Sequence, residues 1–117
     1  MKKKQTKIIP LEYEECLVLV EYLELKGYPF AHIHQEMYTT SWKQKMKAKQ
    51  LGVKAGLPDY IICLPNKLVF LEMKRQKGGV VSQAQHEWLI EFNKYKDVIA
   101  IYTKGAGQAI EAIEKLV

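Results

Sequence analysis

Leu57-Pro58-Asp59-Tyr60-Ile61-Ile62-Cys63-Leu64, followed by Leu68-Val69-Phe70-Leu71-Glu72-Met73-Lys74, is the stretch whose reading decides the fold. It reads as two short apolar strands over about 57–64 and 68–74, joined by a tight connection through Pro65-Asn66-Lys67. Each strand carries charge near one end: Asp59 opens the first, and Glu72 and Lys74 close the second. Asp and Lys are depleted in strands, and charge beside a buried sheet is costly unless it is paired or bound to a metal. Side chains two apart on a strand share a face, so Glu72 and Lys74 project together. Folding the second strand back on the first brings Asp59 close to that pair.

Working outward, Pro10 with Glu12, Glu14 and Glu15 reads as the start of a helix, since early acidic groups complement the helix dipole. The helix is expected to reach about Lys26, with Gly27 as its cap and Cys16, Leu19, Val20 and Leu23 as its inward stripe. Glu12 shares that inward face, Glu15 lies at its margin and Glu14 points away. Phe30 to Gln35 reads as a strand, and residues 37–56 as a basic loop. Beyond the central strands, Gly78-Gly79 marks a turn. Ser82 is a good N-cap for a helix from Gln83 to about Tyr95 with Trp88, Leu89 and Phe92 inward. Val98 to Tyr102 forms a strand, and Gly105-Ala106-Gly107 leads into a last helix with Ala109, Ile110, Ile113 and Leu116 on one stripe. The expectation is an α/β fold, a small mixed β-sheet flanked by helices, in a single domain over 1–117 with a flexible basic N-terminus at 1–10.

Composition narrows the class. With 117 residues and 48% hydrophobic side chains the chain suits one core rather than global disorder. The net charge of +5 invites a polyanion without proving one. Cys16 and Cys63 lie in apolar segments and read as small buried hydrophobes of a reducing compartment. The apolar run from Leu17 is broken by Glu21 and too short to span a bilayer, and no apolar stretch or cleavage site follows Lys2-Lys3-Lys4. A cytoplasmic location with no membrane partner is expected.

Two carboxylates and an ammonium at one sheet edge suit phosphodiester hydrolysis, which needs an activated water and neutralised phosphate charge. Asp59 and Glu72 are the chosen ligands for Mg²⁺, with the carbonyl of Met73 as a third. Lys74 is placed to hold the attacking water or stabilise the transition state. Glu12 is the preferred additional carboxylate, with Glu15 as the alternative. Residues 37–56 contain no acid and five lysines, Lys43, Lys45, Lys47, Lys49 and Lys54. With Arg75, Lys77 and the N-terminal lysines they are candidate phosphate contacts. Trp42 suits either stacking on an opened base or a dimer contact. Ser82 is a cap rather than a nucleophile, and His32 with His34 are surface or DNA-facing residues rather than a metal pair.

The arrangement resembles the PD-(D/E)xK nuclease superfamily and, within it, the VRR-NUC family, along nearly the whole chain. Lys54-Ala55-Gly56-Leu57-Pro58-Asp59 matches the family's Lys-x-Gly-x-Pro-Asp block, and Glu72-Met73-Lys74 its Glu-x-Lys. Gly78-Gly79 with Ser82-Gln83-Ala84-Gln85 matches its Gly-rich turn and Ser-x-x-Gln, and Trp88-Leu89 follows. Glu12 matches the family's helix glutamate, and Cys16 stands where the family has glutamine. Ile33-His34-Gln35 corresponds only loosely to an Ile-Pro-Asn segment. The resemblance implies a Mg²⁺- or Mn²⁺-dependent endonuclease on branched or duplex DNA, with Gln85 near Lys74. In stand-alone chains of this size it implies a homodimeric Holliday-junction resolvase. The other readings are a general nickase or end-processing nuclease without junction preference, and a non-catalytic DNA-binding accessory protein.

Overall fold

The computed structural model describes residues 12–33 and 41–117. The N-terminal lysines, Pro10, His34 and Gln35 lie outside the described residues. Among the described residues four strands and four helices follow in the order α1 (Glu12–Lys26), β1 (Phe30–His32), α2 (Trp42–Gln50), β2 (Tyr60–Leu64), β3 (Lys67–Lys74), α3 (Gln83–Phe92), β4 (Val98–Lys104) and α4 (Gly105–Leu116). They build one mixed sheet in the order β1-β2-β3-β4. The first three strands pair antiparallel, and β4 joins β3 in parallel after the α3 crossover. The α/β fold with a small mixed sheet is the expected one.

Strand alternation sorts the side chains. Val69, Leu71 and Met73 enter the core with Leu19 and Leu23 of α1 and Ala106, Ala109 and Ile113 of α4. Leu19 and Leu23 are fully buried, each contributing roughly 1.5–3 kcal/mol by removal from water. The intervening residues of β3 face α3 instead. Phe70 stacks on Phe92 with centroids 4.2 Å apart, and Phe92 stacks in turn on Trp88. Helix α1 ends with Gly27 N–H donating to Glu24 O at 3.2 Å and Tyr28 N–H to Leu23 O at 3.2 Å, the paired bonds of a Schellman cap. Asn93 caps α3 and latches it to β4: its side-chain amide donates to Ala100 O at 2.8 Å, and its Oδ1 accepts from Ala100 N at 2.8 Å.

Several boundaries differ from the sequence reading. Residues 42–50 form a helix, not a loop, with Ser41 Oγ accepting from Gln44 N at 3.3 Å. Trp, Lys, Gln, Met and Ala are mostly good helix formers, but no apolar periodicity marks them, because α2 buries none of its residues. Strand β3 starts at Lys67, so the connection shortens to Pro65-Asn66. Helix α3 stops at Phe92, where Asn93 takes the cap, and β4 runs on to Lys104 because it follows β3 to Lys74. The described part of the first strand ends at His32. Cys63 is exposed and Cys16 half-buried, since Cys63 points to the face of β2 opposite the α1–α4 core.

Candidate active site

The antiparallel register pairs Tyr60 with Leu71, which sets Asp59 opposite Glu72 at the end of the ladder. Asp59 is fixed there by two bonds: its Oδ2 accepts from Met73 N at 2.8 Å, and its backbone oxygen accepts from Ile33 N at 2.7 Å. Pro58 before it is fully buried. Two residues further back, Gly56 adopts φ +95°, and a Cβ there would lie 2.8 Å from the backbone carbon of Ala84. Only glycine lets this loop lie against the start of α3, where Trp88 Nε1 also donates to Ala55 O at 3.0 Å.

Glu72 is 2% exposed and sits on the α3 face of β3. Its Oε2 contacts Lys74 Nζ at 3.1 Å and accepts from Gln85 Nε2 at 2.9 Å. Its Oε1 is buried with no hydrogen-bond partner. Burial, and then the Asp59 charge, push the Glu72 carboxyl up to about 7, against the opposing pull of Lys74. Burial likewise raises Asp59, although the bond from Met73 N opposes it. The Gly-rich turn closes over this end of the strand: at Gly79 a Cβ would meet Lys74 Cβ at 2.9 Å.

Gln85 does two things at once. Its Oε1 accepts from Ser82 N at 2.8 Å while Ser82 Oγ accepts from Gln85 N at 3.1 Å, a capping box at the start of α3. Its Nε2 then donates to Glu72 Oε2. Ser82 is thus the expected cap, and Gln85 holds the carboxylate rather than standing beside Lys74 alone.

The helix carboxylates separate. Glu12 is exposed but lines a cleft of about 540 Å³ with Cys16, Phe30, His32, Asp59 and Tyr60. Burial and the neighbouring Asp59 raise its carboxyl, and Lys74 and Arg75 act against them. Glu15, read as marginal, is 4% exposed, with Oε1 accepting from Ala106 N at 2.7 Å and Oε2 from Gln76 Nε2 at 2.7 Å. It stabilises the N-terminus of α4, which has no side-chain cap of its own. Sequence spacing gave no hint of this, because the two partners are 91 residues apart.

Among the described residues, no three His, Cys, Asp or Glu side chains gather into a metal cluster, so Glu12 does not close on Asp59 and Glu72. The residues present still fit a hard cation. A buried carboxylate oxygen without a partner and a second carboxylate opposite it are oxygen donors of the kind Mg²⁺ takes while keeping several waters. His32 stacks on Tyr60 with centroids 4.9 Å apart and stays on the rim. Lys43, Lys45, Lys47 and Lys49 ride on α2, Lys54 follows it, and Arg75 and Lys77 are exposed just past Lys74.

A solved structure described as a VRR_NUC domain protein is similar to this chain, with 24% identity and a TM-score of 0.73 over 94% of this chain and 91% of the other. The chain therefore has the fold of a VRR_NUC domain protein. No known family model matches the sequence, and no curated protein does. Among the described residues no helix is long and apolar enough to cross a membrane.

Proposed function

We propose that this chain is a metal-dependent endodeoxyribonuclease that works as a homodimer on four-way DNA junctions. The observation that carries the catalytic reading is the buried, unpartnered Oε1 of Glu72, whose other oxygen is held by Lys74 and Gln85. Leaving such an oxygen dry and unpaired costs about 1–3 kcal/mol or more, a cost that a bound cation offsets. Asp59, Glu72 and the carbonyl of Met73 would hold Mg²⁺ or Mn²⁺, which supplies phosphate-charge neutralisation and a more acidic water. Lys74 orients the attacking water and faces the charge that develops on the phosphate. Gln85 keeps Glu72 turned toward the site, and Glu12 accepts from water across the cleft.

The likeness to a VRR_NUC domain protein and the Asp59, Glu72 and Lys74 set both support nuclease chemistry. Lysines of α2, Lys54, Arg75 and Lys77 grip phosphates, and binding weakens steeply with salt. One site per chain cuts one strand, so symmetric cleavage of a junction calls for a two-fold pair. Tyr13, Leu17, Val18 and Leu25, exposed along α1, supply apolar surface for that pairing. The whole chain acts as one intracellular DNA-associated module in this reading.

The test is cleavage of a labelled four-way junction beside linear duplex, flap and single strands, with Mg²⁺, Mn²⁺ or EDTA. Wild type is compared with Asp59→Asn and Lys74→Ala. Paired symmetric cuts that need metal, Asp59 and Lys74 are expected, with DNA binding largely kept in Lys74→Ala. Equal cutting of all substrates reduces the function to a general nuclease. Tight binding without cutting makes the chain an accessory protein.

A further inference from the structure

Helix α2 is the element whose existence the core does not explain. It has nine residues and none is buried. An isolated helix of this length is marginal in water, and four lysines with no acid repel one another. Among the described residues those lysines form no ion pair. A bound polyanion would relieve that repulsion.

Their placement says which kind. At about 100° per residue, Lys43 and Lys47 form one row, and Lys45 and Lys49 form a second about 200° away. The rows therefore lie on opposite flanks. Between them, about 60° from the Lys45 row and about 100° from the Lys43 row, runs an outward stripe of Trp42 and Met46, 72% and 37% exposed. Ala48, half-buried, lies on the other side. A helix resting on one phosphate backbone needs cations on one flank only. Two flanking rows with an apolar edge between them fit a trough with a phosphate wall on each side. A helix with side chains is about 10–12 Å across. The major groove of B-form DNA is about 12 Å wide and the minor groove about 6 Å. The major groove of A-form RNA is too narrow to admit side chains.

We propose that α2 inserts into the major groove of duplex DNA, its two lysine rows on the two bordering backbones and Trp42 and Met46 against the base edges. The proposal rests on the nuclease reading and says where the duplex beside the cut lies. The loop that follows α2 is tied to the site, since Ala55 is held by Trp88 and Gly56 by close approach to Ala84, next to Gln85. Met and Trp offer apolar contact of the kind thymine methyl groups accept.

The experiment measures binding of labelled duplex DNA by the full chain carrying Asp59→Asn, in EDTA, by fluorescence anisotropy across a salt series. The double variants Lys43→Ala/Lys47→Ala and Lys45→Ala/Lys49→Ala are compared; alanine preserves helix propensity. Each is expected to lower the slope of log affinity against log salt by about 1.8, the value for two phosphates. A change in only one of them places the helix on a single backbone and overturns the proposal. Duplex carrying glucosylated hydroxymethylcytosine, which fills the major groove, is expected to bind at least about ten-fold more weakly, on the scale of one lost base contact. Netropsin in the minor groove is expected to have no effect. Undiminished binding to the glucosylated duplex, or displacement by netropsin, overturns it. If the chain binds no DNA at all, the nuclease reading falls as well; if it binds and wild type cuts while the two rows behave unequally, only the groove proposal falls.

Discussion

Gln85 Nε2 donates to Glu72 Oε2 at 2.9 Å while the Oε1 of the same amide accepts from Ser82 N at 2.8 Å. The start of α3 and the carboxylate of β3 are thus held by one side chain, so helix capping and site geometry are coupled. Gln85→Ala removes both bonds and is expected to cost about 1–3 kcal/mol of stability, read from the urea midpoint. Gln85→Glu keeps an acceptor for Ser82 N but sets a second carboxylate against Glu72. Its urea midpoint is expected to stay nearer wild type, while cleavage near neutral pH falls about ten-fold or more, the effect of roughly 1.4 kcal/mol at the transition state.

Glu72 gives the metal-free protein a pH dependence of definite sign. Its carboxyl lies near 7 in the folded chain against 4.5 for the ordinary group, chiefly through burial and the Asp59 charge. Between those values the folded state keeps a proton that the unfolded state has released, so stability falls as pH rises through the window. Below it both states are protonated, and above it the contribution of this group to the slope ends. Asp59 and Glu12 are shifted in the same direction. Urea unfolding in EDTA from about pH 5 to pH 8 is expected to show decreasing stability, with a flatter profile for Glu72→Gln. Saturating Mg²⁺ is expected to raise the wild-type Tm at the alkaline end and to leave Asp59→Asn little changed.

Glu12 and Glu15 are one turn apart and do different work. Glu15 is 4% exposed and bonded to Ala106 N and Gln76 Nε2, so Glu15→Ala is expected to lose about 1–3 kcal/mol in a thermal or urea melt. Glu12 is exposed on the cleft that holds Asp59. Glu12→Gln is expected to change stability by no more than about 0.5 kcal/mol and to slow cleavage. A melt that moved with Glu12→Gln and not with Glu15→Ala would reverse the assignment.

Gly56 carries strain for any other residue. Its φ is +95°, and a Cβ would meet backbone and side-chain atoms of Ala84 at 2.8–2.9 Å. Gly56→Ala is expected to destabilise by about 1–3 kcal/mol and to shift Asp59, three residues on, with loss of cleavage. Gly52 also has positive φ but meets nothing within 4 Å, so Gly52→Ala is the milder control.

The central strands, both outer helices and the Ser82 cap are legible in the sequence because they rest on local rules. Period two in Leu68–Lys74 puts Glu72 and Lys74 on one face, and the structure joins them at 3.1 Å. The short turn makes the pairing antiparallel, and the register then sets Asp59 opposite Glu72. Helix α2 is also local, signalled by Ser41 and a run of helix formers, but it lacks the apolar stripe by which a packed helix is recognised.

What tertiary structure alone decided is which polar atom meets which. The rotation of α1 against α4 buries Glu15 on Ala106 N and leaves Glu12 at the cleft, although both read as first-turn acids. The seating of α3 on the sheet turns the Gln85 amide onto Glu72, and the uncovered face of β2 leaves Cys63 in solvent. Periodicity assigns a residue to a face of its own element. Burial and hydrogen bonding at that face depend on what another element, often far away in the chain, lays against it.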